Sequence, residues 1–194
     1  MINRIHIKRK SILPKNAKKV FGGEIFNIYQ WQQKMFDGSF KTFEMIKRTD
    51  TVVTIPTTKD NKIVIEQQEQ PNNELFNSFP GGRVDKKEDI DLAALRELEE
   101  ETGYSPKKIK LWKTIQPSSK YDWLVYFFIT QQCELTSKQK LDSGERIKVK
   151  LIDLDELIEL YIQDDFRDLE TRPDFMKAFY DKNYKEELRK LFFD

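Results

Sequence analysis

Glu97, Glu100 and Glu101 stand at i, i+3 and i+4, a spacing that puts three carboxylates on one face of a helix, away from the apolar positions Leu95 and Leu98. Hard oxygen donors gathered in this way suit Mg²⁺ or Mn²⁺, ions that take a few carboxylates together with waters and substrate phosphates. The same pattern also describes an ordinary solvated acidic face. Carboxylates four residues apart repel by about 0.2–0.5 kcal/mol per pair, and lysines there would make a better plain surface. Spacing alone leaves both readings open. Arg96 precedes Glu99 by three and Glu100 by four and can pair with either, while Glu88 lies close enough upstream to reach it.

Other chemistries are poorly supplied. One cysteine, Cys133, excludes an internal disulfide framework and a Cys-cluster zinc site, and one histidine, His6, excludes a multi-His metal site. An enzyme built from this chain must work with carboxylates, Lys and Arg. Lys plus Arg number 34 against 33 Asp plus Glu, so no global field draws in nucleic acid or an anionic membrane. No apolar run approaches the ~18 residues of a membrane span, and the first residues carry no signal-peptide core. The reducing cytosol is the expected compartment.

These carboxylates need elements to position them. A length of 194 residues predicts one domain over 1–194. Residues 1–20 are basic (Lys8, Arg9, Lys10, Lys15, Lys18, Lys19) and read as a solvated start. Alternating or β-branched runs predict strands over Glu24–Trp31, Phe43–Arg48, Thr51–Pro56 and Lys62–Glu66, with Asp37-Gly38 and Asp60-Asn61 as turns between them. Pro80-Gly81-Gly82 marks a sharp turn. A helix follows over Ile90–Thr102, with Ala94, Leu95, Leu98 and Thr102 as its apolar face and Gly103 placed to end it. Strands at Ile109–Ile115, Trp123–Thr130 and Arg146–Leu151 precede helices at Leu154–Ile162 and Pro173–Phe192. Strict βαβ alternation is absent, which predicts an α/β (mixed α+β) fold with a mixed sheet packed by helices, not a Rossmann domain.

Gly82, five residues, Glu88, seven residues, then Arg96-Glu97-Leu98-Glu99-Glu100-Glu101-Thr102-Gly103-Tyr104 resembles the Nudix box, G-x5-E-x7-R-E-U-x-E-E-x-G-U with U a bulky apolar residue. Every defined position matches, with Tyr104 as the last bulky one, a coincidence of on the order of one in a million at ordinary residue frequencies. The resemblance implies a Nudix-type α/β/α sandwich over nearly the whole chain and hydrolysis of a nucleoside diphosphate linked to another group. It also implies Glu97, Glu100 and Glu101 as ligands of Mg²⁺ or Mn²⁺, joined by the Gly81 carbonyl. Arg96 would orient the glutamates, and Glu88 would support Arg96 or a metal-bound water.

The chain is most similar to the ADP-ribose pyrophosphatase-like branch. That branch has N-terminal strands before the core, here residues 1–50 ahead of 51–194, and a proline about fifteen residues past the box; Pro117 lies fourteen after Gly103. The branch implies a homodimer through the N-terminal strands, with aromatics that sandwich adenine, for which Phe26, Trp31 and Phe43 are available. It implies a glutamate on a late loop as the base, which Asp142-Ser143-Gly144-Glu145 matches with Glu145; in other members a box glutamate, such as Glu100, serves. One departure stands out: Glu69 lies near where the branch has an arginine that meets substrate. ADP-ribose or a nucleotide sugar is the expected substrate. A catalytically silent sensor is the alternative, but such modules lose box glutamates and carry a DNA-binding appendage, and here the box is intact. An isomerase of this fold would need Cys and His in its site. An mRNA-decapping role would need a basic RNA channel, for which the 1–20 arm is a thin basis.

Overall fold

The chain begins with a ribbon of three antiparallel strands, β1 (Lys18–Gly22), β2 (Asn27–Lys34) and β3 (Phe40–Lys47), in the computed structural model, which describes residue 7 and residues 9–194. His6 and Lys8 lie outside the described residues. Gly38 takes a φ of 85° at the β2–β3 turn, where Met35 N–H donates to Ser39 O at 2.8 Å. The start read as solvated up to residue 20 thus joins a strand at Lys18, and the strand expected from Glu24 begins at Asn27.

The remaining elements are β4 (Thr51–Thr58), β5 (Ile63–Glu69), β6 (Phe76–Ser78), β7 (Gly81–Arg83), α1 (Ile90–Thr102), β8 (Tyr104–Ser105), β9 (Lys108–Ile115), β10 (Tyr121–Asp122), β11 (Val125–Leu135), β12 (Arg146–Ile152), α2 (Leu154–Ile162), α3 (Arg172–Tyr180) and α4 (Lys182–Phe193). The main sheet has the order β12-β5-β4-β11-β8, with β6 on β5, β7 on β4 and β9 on β11. It is mixed: β4 and β11 run parallel from Thr51↔Val125 onward, while β5 and β12 are antiparallel. β10 instead adds to β3 in the N-terminal sheet.

β4 is buried on both faces, so its sequence is continuously apolar or β-branched. Val52 packs with Ala93, Ala94, Tyr126 and Phe128 on the α1 side. Val53 and Ile55 pack on the opposite side with Leu157, Tyr161, Phe175 and Phe192 from α2, α3 and α4. Each such side chain taken from water contributes about 1.5–3 kcal/mol, which holds α1 and the sheet as one rigid body under the glutamates. This is the α/β/α sandwich with a mixed sheet that the resemblance implies.

Two expectations are corrected. The helix read over Pro173–Phe192 is two helices, because Asp181 leaves helical geometry at φ −120° and ψ 103° and its carboxylate accepts from Asn183 N and Tyr184 N as the cap of α4. Gly81 and Gly82 are not a turn apex but the short strand β7, paired with Val53 and Val52 of β4.

A strap ties the N-terminal segment to this core. The Asp122 carboxylate is fully buried and accepts from Ser11 Oγ at 2.6 Å, Arg9 Nη2 at 2.7 Å, Lys47 Nζ at 3.1 Å and Ile12 N at 3.2 Å. Burial alone would raise this carboxyl, but these donors outweigh it and hold it down to about 2. Arg9 also pairs with Asp50 at 2.8 Å, so residues 9–12 are fixed across the heads of β4 and β11.

Candidate active site

Strand β7 and helix α1 build the centre together. A Cβ on Gly81 would sit 2.2 Å from Val52 O, and one on Gly82 would sit 2.4 Å from Glu97 Oε1. Gly81 therefore needs glycine to lie against the β4 backbone, whereas a side chain at Gly82 would push the Glu97 carboxylate from its place. Gly103 ends α1 in the left-handed region, with its N–H on Glu99 O at 2.8 Å.

Arg96 is the organiser. Its Nε and Nη2 donate to the two Glu88 oxygens, each at 2.9 Å, and its Nη1 donates to Glu97 at 2.9 Å and Glu100 at 3.2 Å. Nη2 also reaches Arg83 O at 3.0 Å, which ties the helix to the end of β7. Held by Glu88 first and then by Glu97 and Glu100, the guanidinium is raised far above its usual range. Arg96 pairs with Glu88 and Glu100 as the spacing allows; Glu99 is not among its hydrogen-bond partners.

The three box glutamates are not equivalent. Glu100 keeps a half-open side chain, whereas Glu101 is buried at 6% exposure. Glu101 follows Leu98 by three residues and Ala94 by seven, so the 100° helix step carries it into the buried stripe, not onto a solvated face. One of its oxygens accepts from Gly81 N–H at 2.7 Å. Beside it stands Glu66, from β5, fully buried. Burial raises both carboxyls well above the ordinary range, helped next by the charge of Asp168 at Glu66 and by the charge of Glu66 at Glu101. Burial also raises Glu97, against the pull of Arg96. Glu66 Oε1 is a buried oxygen with no hydrogen-bond donor, and the Glu66 and Glu101 side chains lie close enough to share a hydrogen bond. A shared proton or a bound cation would satisfy that pair.

Among the described residues, no three acidic, His or Cys side chains form a closed metal cage. Glu97 and Glu100 lean to Arg96, and Glu101 leans to Gly81 N–H. The donor set nevertheless fits a hard divalent cation. Four carboxylates, Glu66, Glu97, Glu101 and Glu145, lie within electrostatic reach of one another, and the buried Glu66 oxygen lacks a partner.

Glu145 sits in the loop before β12, where its charge acts on Glu66, Glu97 and Glu101. Its carboxylate accepts from Asp142 N at 3.1 Å within its own turn. Glu69, where an arginine was expected, is exposed and pairs with Arg146 at 3.5 Å. Positive charge comes from elsewhere. Arg48, Arg83 and Arg167 line a cleft of about 310 Å³ whose floor is Val53, Gly81 and Gly82. Arg48 lies over Trp123 at 4.4 Å and over Phe26 at 5.6 Å, so Phe26 braces this cation. Trp31 and Phe43 form a cross-strand pair 6.0 Å apart on the N-terminal sheet and do not line that cleft. Cys133 takes no part: it is buried, and burial pushes its thiol up to about 11.

The sequence reading missed Glu66, Asp168 and the three arginines. Asp168 turns its carboxylate inward onto Phe79 N–H at 2.7 Å and fixes the approach to Gly81. Burial outweighs that hydrogen bond and raises it to about 7. A carboxyl whose folded value exceeds its unfolded one stabilises fully below the unfolded value, near 4, and loses that contribution as pH rises through about 7. Glu66 and Glu101 act in the same direction. The metal-free protein should therefore melt at progressively lower temperature from pH 5 to pH 8, and Asp168→Asn should flatten the slope. Melting curves that rise over this range would contradict the buried-carboxyl account.

Comparison with known proteins agrees with this geometry. Residues 47–175 match the family model described as the NUDIX domain. The chain is 28% identical over 167 residues to an ADP-ribose pyrophosphatase of Bacillus subtilis (strain 168), covering 84% of this chain and 90% of that protein. It is 28% identical over 153 residues to the methanol dehydrogenase activator of Bacillus methanolicus, covering 76% of this chain and 81% of the relative. A solved structure titled as an ADP compounds hydrolase superposes with a TM-score of 0.71 at 18% identity, over 96% of this chain and all of the other, a likeness of fold. With the box complete around Arg96 and the sandwich in place, the chain belongs to the Nudix hydrolase family and is most like its ADP-ribose pyrophosphatase-like branch.

Proposed function

We propose that the protein is a divalent-metal-dependent pyrophosphohydrolase that cleaves the diphosphate bond of a nucleoside diphosphate derivative, ADP-ribose or a nucleotide sugar. One observation carries this reading: a buried carboxylate cluster with an unpartnered oxygen, beside a glycine strand that forms the floor of a cleft rimmed by Arg48, Arg83 and Arg167. The 28% identity to an ADP-ribose pyrophosphatase supports the choice of substrate. So do the arginines, which offset the missing positive charge at Glu69.

Mg²⁺ or Mn²⁺, held by Glu97, Glu100, Glu101 and the Gly81 carbonyl, would supply neutralisation of the diphosphate charge. Arg96, fixed by Glu88, sets the rotamers of Glu97 and Glu100. Arg48, Arg83 and Arg167 hold phosphate oxygens through charge-assisted hydrogen bonds. Glu145 turns from Asp142 N and accepts the proton of the attacking water at its carboxylate; Glu100 is the alternative base. Phe26 reaches the cleft through Arg48, whereas Trp31 and Phe43 would contact adenine only across a dimer.

Such a homodimer, through residues 1–50, fits the exposed Val20, Phe21 and Phe40 of the N-terminal sheet and Ile25 in its first turn. Sedimentation at working concentration should show two copies; a monomer would leave Trp31 and Phe43 outside the site. No helix of the described residues is long and apolar enough to cross a membrane, and a cytoplasmic setting is part of this proposal. The test is a panel of ADP-ribose, nucleotide sugars and dinucleotides incubated with Mg²⁺. AMP or another nucleoside monophosphate should appear with at least one of them. Binding without turnover on every member would favour the silent sensor.

A further inference from the structure

A second cavity, of about 830 Å³, adjoins the cleft, and Arg48 lines both. Its other cations are Arg9, Lys19, Lys47 and Lys86. Two of the five are neutralised: Arg9 pairs with Asp50 and Asp122, and Lys47 pairs with Asp122. Lys19, Arg48 and Lys86 have no acidic partner among the described residues; Lys19 meets only the neutral Asn27 amide at 3.4 Å. Arg48 is the most telling of these. Its Nε is buried with no hydrogen-bond partner, and the Trp123 and Phe26 rings hold the guanidinium in place. Burial and the neighbouring Arg83 lower its affinity for its own proton. A buried N–H without an acceptor, next to a like charge, costs free energy that an anion would offset.

The diphosphate of ADP-ribose places its charge in the smaller cleft, where it meets Arg48 from one side, and leaves Lys19 and Lys86 without an acceptor. We infer that the Lys19–Arg48–Lys86 cavity binds a further phosphate group, so that the preferred substrate carries at least one phosphate beyond the diphosphate that is cut. This rests on the pyrophosphohydrolase reading. A phosphate monoester brings a charge of roughly −1.5 to −2 and three acceptor oxygens, which match three cations on separate elements: Lys19 on β1, Arg48 after β3 and Lys86 before α1. The cavity is in the size range of small-ligand sites. The strap through Asp122 positions Arg9 and Lys47 on its wall, so that wall is fixed before the ligand arrives.

The test measures binding by calorimetry without divalent ions, with turnover followed in parallel. ADP-ribose is compared with 2′-phospho-ADP-ribose, and diadenosine diphosphate with diadenosine tetraphosphate, which separates a ribose phosphate from a longer phosphate chain. At least one phosphate-rich partner should bind about tenfold or more tightly than its match, the scale of one charge-assisted contact. The Lys19→Gln/Lys86→Gln double variant should bring that ratio close to one. Equal affinities within both pairs would overturn the inference, as would tighter binding of a 5′-triphosphorylated oligonucleotide than of either small ligand. A preference that persists without turnover on any substrate would leave the phosphate cavity standing and sink the hydrolase reading.

Discussion

Glu101→Gln should melt higher than the parent protein in the absence of metal and yet lose at least about a hundredfold in kcat. The two effects have one cause. Glu101 is buried and faces Glu66, whose Oε1 has no donor. A glutamine keeps an oxygen for Gly81 N–H and offers an amide N–H to the Glu66 carboxylate. Repulsion is replaced by a hydrogen bond, which contributes about 1 kcal/mol and more at pH 8 than at pH 5, where a proton can already bridge the pair. The response to metal reverses. A ligand bound only by the native state adds about 2.7 kcal/mol at a hundredfold excess over Kd, and the variant should lose much of that gain with Mg²⁺. An acidic surface without a metal role predicts ordinary turnover and no change in the metal response. Melts with and without Mg²⁺, paired with a rate assay, separate the outcomes.

The second large effect is expected at Glu145. Glu145→Gln should lower kcat by about 10²–10⁴ with little change in KM, the range for loss of a general base that does not hold substrate. The substitution keeps the size of the side chain and its acceptor for Asp142 N. It also removes one negative charge from the field on Glu66, Glu97 and Glu101, so metal affinity would fall modestly. An unchanged kcat would transfer the role to Glu100, the most open of the box carboxylates.

Most of the site was legible because its residues are close in sequence. The helix from Ile90 to Thr102 and its Gly103 cap follow from the local pattern, and the Arg96 pairs with Glu100 and Glu88 from spacings of four and eight. Glu66 was not legible. It ends the expected run Lys62–Glu66 but lies in the middle of β5, and only the sheet order, with β6 on one side of β5 and β12 on the other, buries a residue that composition places outside. Asp168 lies 89 positions from the Phe79 N–H it holds, beyond the reach of any local pattern. The i, i+3, i+4 spacing groups Glu101 with Glu97 and Glu100 on a face away from Leu98, although its place three after Leu98 carries it inward. The break at Asp181 was hidden by an apolar stripe that continues through both helices without Gly or Pro. Of the aromatics, Phe26 could be recognised only as one of several; that it braces Arg48, while Trp31 and Phe43 pair with each other, depends on strand register.

A divalent ion at the carboxylate cluster should be obligatory for diphosphate cleavage. The measurement is AMP release from ADP-ribose, or from whichever panel member turns over fastest, by exhaustively chelated protein as Mg²⁺ is titrated back. The expected result is no detectable release before addition, a saturable rise with Mg²⁺, and a parallel rise in melting temperature that Glu101→Gln lacks. Full release by the chelated protein, or release that Mg²⁺ restores equally in Glu101→Gln, would contradict it.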